Sequence, residues 1–230
     1  MSSRTEAKRY IEAGAVTVDG KIIDKPSFDV SGLEELIKVD KSIFSYVSRG
    51  GIKLEAALKS FNVNPKDKLC LDIGASSGGF TDCLLSFGAR HVIAVDSGKG
   101  QIVDSLRADG RVTVIEGYNA RYITASDFEF TPELAVMDVS FISATYIIQP
   151  LALVLPPSSE FICLIKPQFE VGRHNIGKGG IVKDKSARQE AVKKVTDFAH
   201  SCGFTLKGII ESPIKGGDGN VEFLAYFIRN

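Results

Sequence analysis

From about residue 68 onward, short unbroken apolar runs alternate with stretches whose apolar positions recur every three or four residues. The runs at 69–73, 91–95, 112–115, 134–137 and 161–165 predict strands, and the segments near 80–87, 100–107, 142–153 and 186–201 predict helices. Strands that are apolar at every position, rather than at alternate ones, belong to a parallel sheet covered by helices on both faces. After the last helix, a run at 204–211 is followed by Lys215-Gly216-Gly217-Asp218-Gly219-Asn220 and then a run at 221–228. Two strands joined by a turn instead of a helix pair antiparallel. The pattern therefore predicts an α/β, doubly wound, Rossmann-like fold whose mostly parallel sheet ends in one antiparallel hairpin.

The first thirty residues are patterned differently. Ser3 and Glu6 form a capping box for a helix carrying Arg4, Lys8 and Arg9, which Gly14 should stop. Val16 and Val18 then alternate with polar neighbours, and Asp19-Gly20 is a hairpin signal before Lys21-Ile22-Ile23. A helix and hairpin of this size are too small to hold a core alone and read as a partial α+β module. Residues 31–45, with Leu33, Leu36 and Val39 among Lys38, Asp40 and Lys41, read as an irregular link. The expected division is residues 1–30, a link at 31–45, and a main domain at 46–230.

With 230 residues and 44% hydrophobic content, the chain can bury one full core and a small appendage. Its formal net charge is zero, so a nucleic acid or anionic membrane would have to be met by a local patch rather than by the field of the whole molecule. One such stretch lies at 166–194, where eight Lys/Arg face three acids, although charge alone fits a solvated helix and loop equally well. The four cysteines show no C-x-x-C pairing and read as reduced thiols of a cytoplasmic protein. The N-terminus lacks the apolar stretch of a signal peptide, and the most apolar segment, at 144–155, is too short to span a bilayer, so no membrane segment is expected.

The first strand-to-helix turn, Leu69-Cys70-Leu71-Asp72-Ile73-Gly74-Ala75-Ser76-Ser77-Gly78-Gly79-Phe80-Thr81-Asp82, has the small residues that let a backbone approach a ligand. Its spacing is Gly-x-x-x-Gly-Gly, not Gly-x-Gly-x-x-Gly, and no Gly-Lys-Ser/Thr follows, which weakens dinucleotide and nucleoside-triphosphate readings. An acid just before the loop, Asp72, would repel a pyrophosphate and suits a ligand with a cationic or amine end, such as S-adenosylmethionine. Asp96 closes the second strand where an acid can take both ribose hydroxyls, with a plain helix cap as the alternative. Glu116 to Asn119, after the third strand, would border an adenine pocket by position alone.

Two further side chains sit at strand ends: Asp138 ends the fourth strand and Lys166 the fifth. Ligands of open parallel sheets bind beyond those ends. A lysine there is partly desolvated, which favours the neutral amine, and an adjacent carboxylate favours the charged form; a lysine balanced between the two can serve as general base. Glu222 opens the last strand, and Lys53 lies on a helix leading into the sheet. Singly, each has a plain reading: Asp138 a helix cap, Lys166 a surface strand end, Glu222 a cross-strand partner, Lys53 a solvated helix position. Together, a lysine, acid, lysine, acid set beside a nucleotide-type loop can deprotonate an alcohol.

These motifs occur together in one known family. Tyr46-Val47-Ser48-Arg49-Gly50-Gly51-x-Lys53-Leu54, the Asp72 to Asp82 loop, Asp138-Val139-Ser140-Phe141-Ile142-Ser143, Lys166-Pro167-Gln168-Phe169-Glu170, Gly177-Lys178-Gly179-Gly180-Ile181-Val182 and Gly219-Asn220-x-Glu222-Phe223 resemble the TlyA family, often labelled hemolysins yet similar to FtsJ-type ribose methyltransferases. The resemblance covers nearly the whole chain. It implies a class I S-adenosylmethionine-dependent methyltransferase domain preceded by a ribosomal-protein-S-four-like RNA-binding domain, whose expected first helix is missing before Met1. It further implies methyl transfer to a ribose 2′-hydroxyl of ribosomal RNA, with Lys166 as base and Lys53, Asp138 and Glu222 positioning the hydroxyl and tuning Lys166. Cofactor contacts would come from Asp72, Gly74, Ala75, Ser76, Gly78, Gly79, Phe80, Thr81, Asp96, Glu116 and Asn119. Two other functions compete: an RNA-binding or assembly factor that holds the cofactor without turnover, and a cytolysin, for which no spanning run or large amphipathic face is evident.

Overall fold

The computed structural model of the protein describes residues 7–8, 10–11, 14–23, 25–39, 46–216 and 219–230. The expected features at Ser3, Arg4, Glu6, Arg9, Asp40, Lys41, Gly217 and Asp218 lie outside the described residues. The chain divides into two compact units, Met1–Ser45 and Tyr46–Asn230.

In the first unit, Ala7, Lys8, Tyr10 and Ile11 are helical. Gly14, at φ 69°, turns the chain, and its amide donates to Ile11 O at 2.9 Å. Strands β1 (Val16–Val18) and β2 (Lys21–Ile22) form the hairpin, with Asp19 and Gly20 at φ 50° and 73° in the turn, as a tight right-twisted hairpin requires. A third strand, β3 (Ile37–Val39), pairs antiparallel with β1 and lies within the stretch expected to be an irregular link. Only Ile37 and Val39 flank Lys38 there, too few residues for an alternation to register. Pairing with β1 and packing of both side chains against Tyr10, Ala15 and Val16 make the strand.

The second unit is built on a seven-stranded sheet of order β6-β5-β4-β7-β8-β10-β9. Its strands are β4 (Leu69–Ile73), β5 (His91–Asp96), β6 (Val112–Glu116), β7 (Leu134–Met137), β8 (Glu160–Ile165), β9 (Phe204–Glu211) and β10 (Phe223–Arg229). Strands β4 to β8 run parallel, while β10 is antiparallel to both β8 and β9. The helices are α1 (Gly50–Phe61), α2 (Gly79–Ser86), α3 (Asp104–Arg107), α4 (Thr145–Val154), α5 (Pro167–Glu170) and α6 (Lys185–Ser201).

Alternate residues of each central strand serve opposite cores. Leu71, Ile73, Ala135, Met137, Phe161 and Cys163 pack with Ile148 and Leu151 of α4 and Val195 of α6. Cys70, Val92, Leu134, Val136, Ile162 and Leu164 pack with Leu54 and Leu58 of α1 and Leu84 of α2. Both faces being covered, the strands carry no polar alternation.

Helix α3 is shorter than the pattern at 100–107 suggests. Gly100 sits at φ 66°, and the Glu116 carboxylate accepts the amide of Gln101 at 3.1 Å, so the backbone donors of 100–102 are used by a carboxylate rather than a helical turn. Strand β10 likewise starts at Phe223, leaving Glu222 just outside it.

Candidate active site

The glycine loop is pressed against the end of a neighbouring strand. Gly74 has φ 84°, and a Cβ placed there would lie 2.3 Å from the carbonyl oxygen of Asp138. The Asp138 amide donates to Ile73 O at 2.9 Å. Only glycine permits this approach, so the loop after β4 and the end of β7 share one surface. Asp96, at the end of β5, ties the loop down: one carboxylate oxygen accepts the Ser76 amide at 2.8 Å and the other the Gly98 amide at 2.6 Å. Each oxygen keeps a further lone pair for another donor.

Asp72 is fully buried beneath this loop. Thr81 Oγ1 donates to its Oδ2 at 2.6 Å, while Oδ1 has no hydrogen-bond partner among the described residues. Burial pushes its pKa up to about 7 against the opposing Thr81 hydrogen bond, and the nearby charges of Asp138 and Asp96 push the same way. A buried carboxylate with an unsatisfied oxygen below a glycine loop suits a ligand group that is cationic or donates hydrogen bonds, and repels a phosphate.

Other candidate cofactor residues have structural partners. Phe80 is buried in the core with Leu54 and Leu84, and Thr81 serves Asp72, so both support the loop from behind. Glu116 accepts the backbone of 100–102 and pairs with Arg107 at 2.9 Å; the backbone donor of Gly100 leads in holding its carboxyl down at about 2. The Asn119 side chain accepts the Arg121 amide at 3.1 Å, capping a short 3-10 turn.

The four chemical residues lie in two ion pairs. Lys53 Nζ donates to Glu222 Oε2 at 2.5 Å, with both side chains buried. Lys166 Nζ lies 2.5 Å from Asp138 Oδ1, an ion-pair contact not aligned as a hydrogen bond, and donates to Ser140 Oγ at 2.7 Å. The last β8–β10 pair is Phe223 with Ile165, so the next step of that antiparallel register brings Glu222 alongside Lys166. The reversed strand β10 thereby carries a residue from near the end of the chain to the strand ends that hold Lys166 and Asp138.

Glycines again make the approach possible. A Cβ at Gly79 would meet Ser48 Oγ at 2.0 Å and the Gly51 nitrogen at 3.1 Å, so the start of α1 packs directly on the start of α2 and carries Lys53 with it, while a Cβ at Gly51 would meet the ring of Tyr46, just ahead of α1, at 2.3 Å. A Cβ at Gly216 would strike Glu222 Oε1 at 2.4 Å.

Two residues without an assigned role also stand here. Ser140 is a hydrogen-bond partner of Lys166, and Phe141 is 92% exposed at φ 65°, its ring 5.3 Å from that of Phe169. A phenylalanine in the left-handed region with its ring in solvent is unusual. The sequence carries no local signal for it, because residue 141 lies in the irregular connection 138–144 between β7 and α4.

The model of the FtsJ-like methyltransferase family matches residues 46–229. The chain belongs to this family. The second unit is thus an FtsJ-like methyltransferase domain, and the S4 domain model matches residues 1–36 ahead of it. The FtsJ-like chain is 46% identical to a Bacillus subtilis protein, YqxC, named as a candidate rRNA methyltransferase, over 97% of its own length and 80% of the relative's. It is 41% identical to the 16S/23S rRNA (cytidine-2′-O)-methyltransferase TlyA of Mycobacterium tuberculosis, over 97% of its own length and 84% of that protein's. The solved structure of a candidate hemolysin from Streptococcus thermophilus superposes with a TM-score of 0.84 at 45% identity, covering 100% of this chain and 84% of that one.

The basic stretch divides in two around this FtsJ-like site. Lys166, Lys193 and Lys194 have ion-pair partners, the last two while exposed, and Arg173, Lys178, Lys183 and Lys185 are exposed with no ion pair among the described residues. Asn220 fastens that stretch near the Glu222 turn: its Oδ1 accepts the Val182 amide and its Nδ2 donates to Gly180 O, each at 2.9 Å.

Proposed function

We propose that the chain methylates a ribose 2′-hydroxyl of ribosomal RNA, with S-adenosylmethionine held by the Gly74–Gly79 loop and Lys166 acting as general base. The observation that carries this reading is the Lys166–Asp138 contact at 2.5 Å, on the surface that Gly74 shares with Asp138. Asp72, with its unsatisfied Oδ1, supports a cofactor bearing a cationic end. When bound, S-adenosylmethionine supplies the electrophilic methyl group.

Lys166, held as an ammonium against Asp138, first gives up a proton to solvent; the neutral amine then takes the proton of the 2′-hydroxyl, and Asp138 stabilises the ammonium that re-forms. Ser140 Oγ accepts a hydrogen bond from the amine and so fixes where its lone pair points. Lys53 and Glu222, alongside, border the hydroxyl with a neutralised pair, keeping the site polar without net charge. Holding base, hydroxyl and methyl donor in line supplies much of the rate. Phe141 offers a stacking face to an unstacked base, the usual way a protein reads single-stranded RNA. The unit at 1–45 and the exposed cations of 173–185 serve as RNA-docking surfaces.

The TlyA relative of Mycobacterium tuberculosis is named for this reaction on cytidine, which makes cytidine the first nucleotide to test. Among the described residues no helix is long and apolar enough to cross a membrane, so the hemolysin label draws no support from the helices. The test is incubation with ribosomal subunits and labelled S-adenosylmethionine, followed by mass-spectrometric mapping of 2′-O-methyl nucleotides. Absence of label from every RNA, with the cofactor bound, would favour the non-catalytic assembly factor instead.

A further inference from the structure

Lys166 and Asp138 sit at the near end of two short segments that run side by side, Asp138 to Ala144 and Lys166 to Glu170. Three contacts join them. At the near end Lys166 meets Asp138 and Ser140; in the middle the rings of Phe141 and Phe169 lie 5.3 Å apart; at the far end stands Glu170. The Glu170 side chain is only 2% exposed, and its Oε1 accepts the Ala144 amide at 2.7 Å. Its Oε2 accepts Ser143 Oγ at 2.6 Å and Lys194 Nζ of α6 at 3.0 Å, and the same Nζ donates to the carbonyl oxygen of Glu170 at 3.0 Å.

We propose that Glu170 is a positioning residue for Lys166, its buried carboxylate locking the two segments so that the base and Asp138 keep a fixed separation. The proposal rests on the reading of Lys166 as the base. A cap for α4 would need one acceptor oxygen, which Oε1 supplies to Ala144. The remaining bonds do something else: through Lys194 they anchor the end of α5, the single turn that Lys166 opens. Lys166 has a long flexible stem, and the partners named for its amine, Asp138 and Ser140, belong to the opposite segment. The spacing of the segments therefore sets the spacing of the reacting groups. The charge is required as well as the shape, because one carboxylate accepts two neutral donors and a cation at once, whereas an amide would turn a donor toward one of them.

The test compares Glu170→Gln and Ser143→Ala with wild type in kcat, KM for RNA, cofactor affinity and melting temperature. In parallel, the acylation rate of Lys166 by a lysine-selective reagent is followed by mass spectrometry across a pH series, with exposed Lys59 as internal reference. Glu170→Gln is expected to lower kcat about 10²-fold, as a displacement near 1 Å does, with KM and cofactor affinity within about twofold. The pH dependence of Lys166 acylation should shift while that of Lys59 does not, and Ser143→Ala should fall between the two proteins. A folded Glu170→Gln with wild-type kcat and unchanged Lys166 acylation overturns the proposal; if that variant does not fold, Ser143→Ala and Lys194→Met decide it by the same acylation readout. Because acylation needs no methyl transfer, a wild type without activity whose Lys166 reactivity still depends on Glu170 would refute the functional reading and leave the positioning role standing.

Discussion

The two lysine–carboxylate pairs, Lys53–Glu222 and Lys166–Asp138, have the same contact distance but different surroundings. In the Lys53–Glu222 pair the carboxylate side chain is 2% exposed; in the Lys166–Asp138 pair it is 20% exposed, and the lysine has a second partner in the exposed hydroxyl of Ser140. A sealed pair resists exchange, since separating it strands a charge in low dielectric. An open pair whose lysine also donates to a neutral hydroxyl keeps one partner when the other contact is broken. Two pairs of the same charge type thus divide into a fixed element and a working one by the solvent access of their carboxylates, the two lysines being almost equally covered.

The strongest way to break this division is Lys166→Ala. Methyl transfer should fall by about 10²–10⁴-fold, the usual worth of a general base, with cofactor binding retained, as equilibrium binding and single-turnover assays would show. Equal turnover by the variant would remove Lys166 from its role. Next, Glu222→Ala should cost about 3–5 kcal/mol of unfolding free energy in denaturant titration by leaving Lys53 buried and unpaired, and Lys53→Met with Glu222→Leu should recover much of that loss. Full stability of the single variant would show that this pair is not sealed in solution.

A third carboxylate, Asp72, has no lysine partner among the described residues. Its pKa is raised to about 7 from an ordinary value of 3.8, so the protonated form favours the folded state. Its contribution is complete below about pH 4 and is lost as pH rises to about 7, on the order of 4 kcal/mol for a group this deeply buried. Thermal melts of ligand-free protein should show that slope, and Asp72→Asn should flatten it.

Phe141→Ala should weaken RNA binding by about 1–3 kcal/mol, the value of one base–aromatic stack, and leave the melting temperature almost unchanged. Smallest of all, Lys59→Ala breaks the exposed Lys59–Glu55 pair of α1 and should change stability by less than about 0.5 kcal/mol. It serves as the surface reference for both interior pairs.

The sheet was legible because its strands are buried on both faces, and uninterrupted apolar runs between glycine turns have few other readings. The hairpin reversing the sheet was legible from the glycine-rich turn in place of a helix. Which lysine meets which carboxylate was not, because the pairing follows from the register of β8 with β10 and from the fit of α1 against α2 through Gly51 and Gly79. Such contacts span most of the chain and leave no local period. Strand β3 and the shortened α3 escaped for the same reason, one made by pairing with β1 and the other curtailed by the Glu116 carboxylate. Glu170 stood in a recognised motif, yet nothing local distinguished a buried clamp from a solvated helix end.

The reversed strand β10 also imposes an order in time. Lys53 and Glu222 are separated by 169 residues of chain. At an elongation rate of about 5–20 residues per second, Lys53 leaves the ribosome's active centre roughly 8–34 seconds before its counter-ion has been made. Until then a lysine destined for the interior has no carboxylate to meet, and the sheet edge beside Lys166 stays open. The Lys53–Glu222 pair can therefore close only after residue 222 has been made.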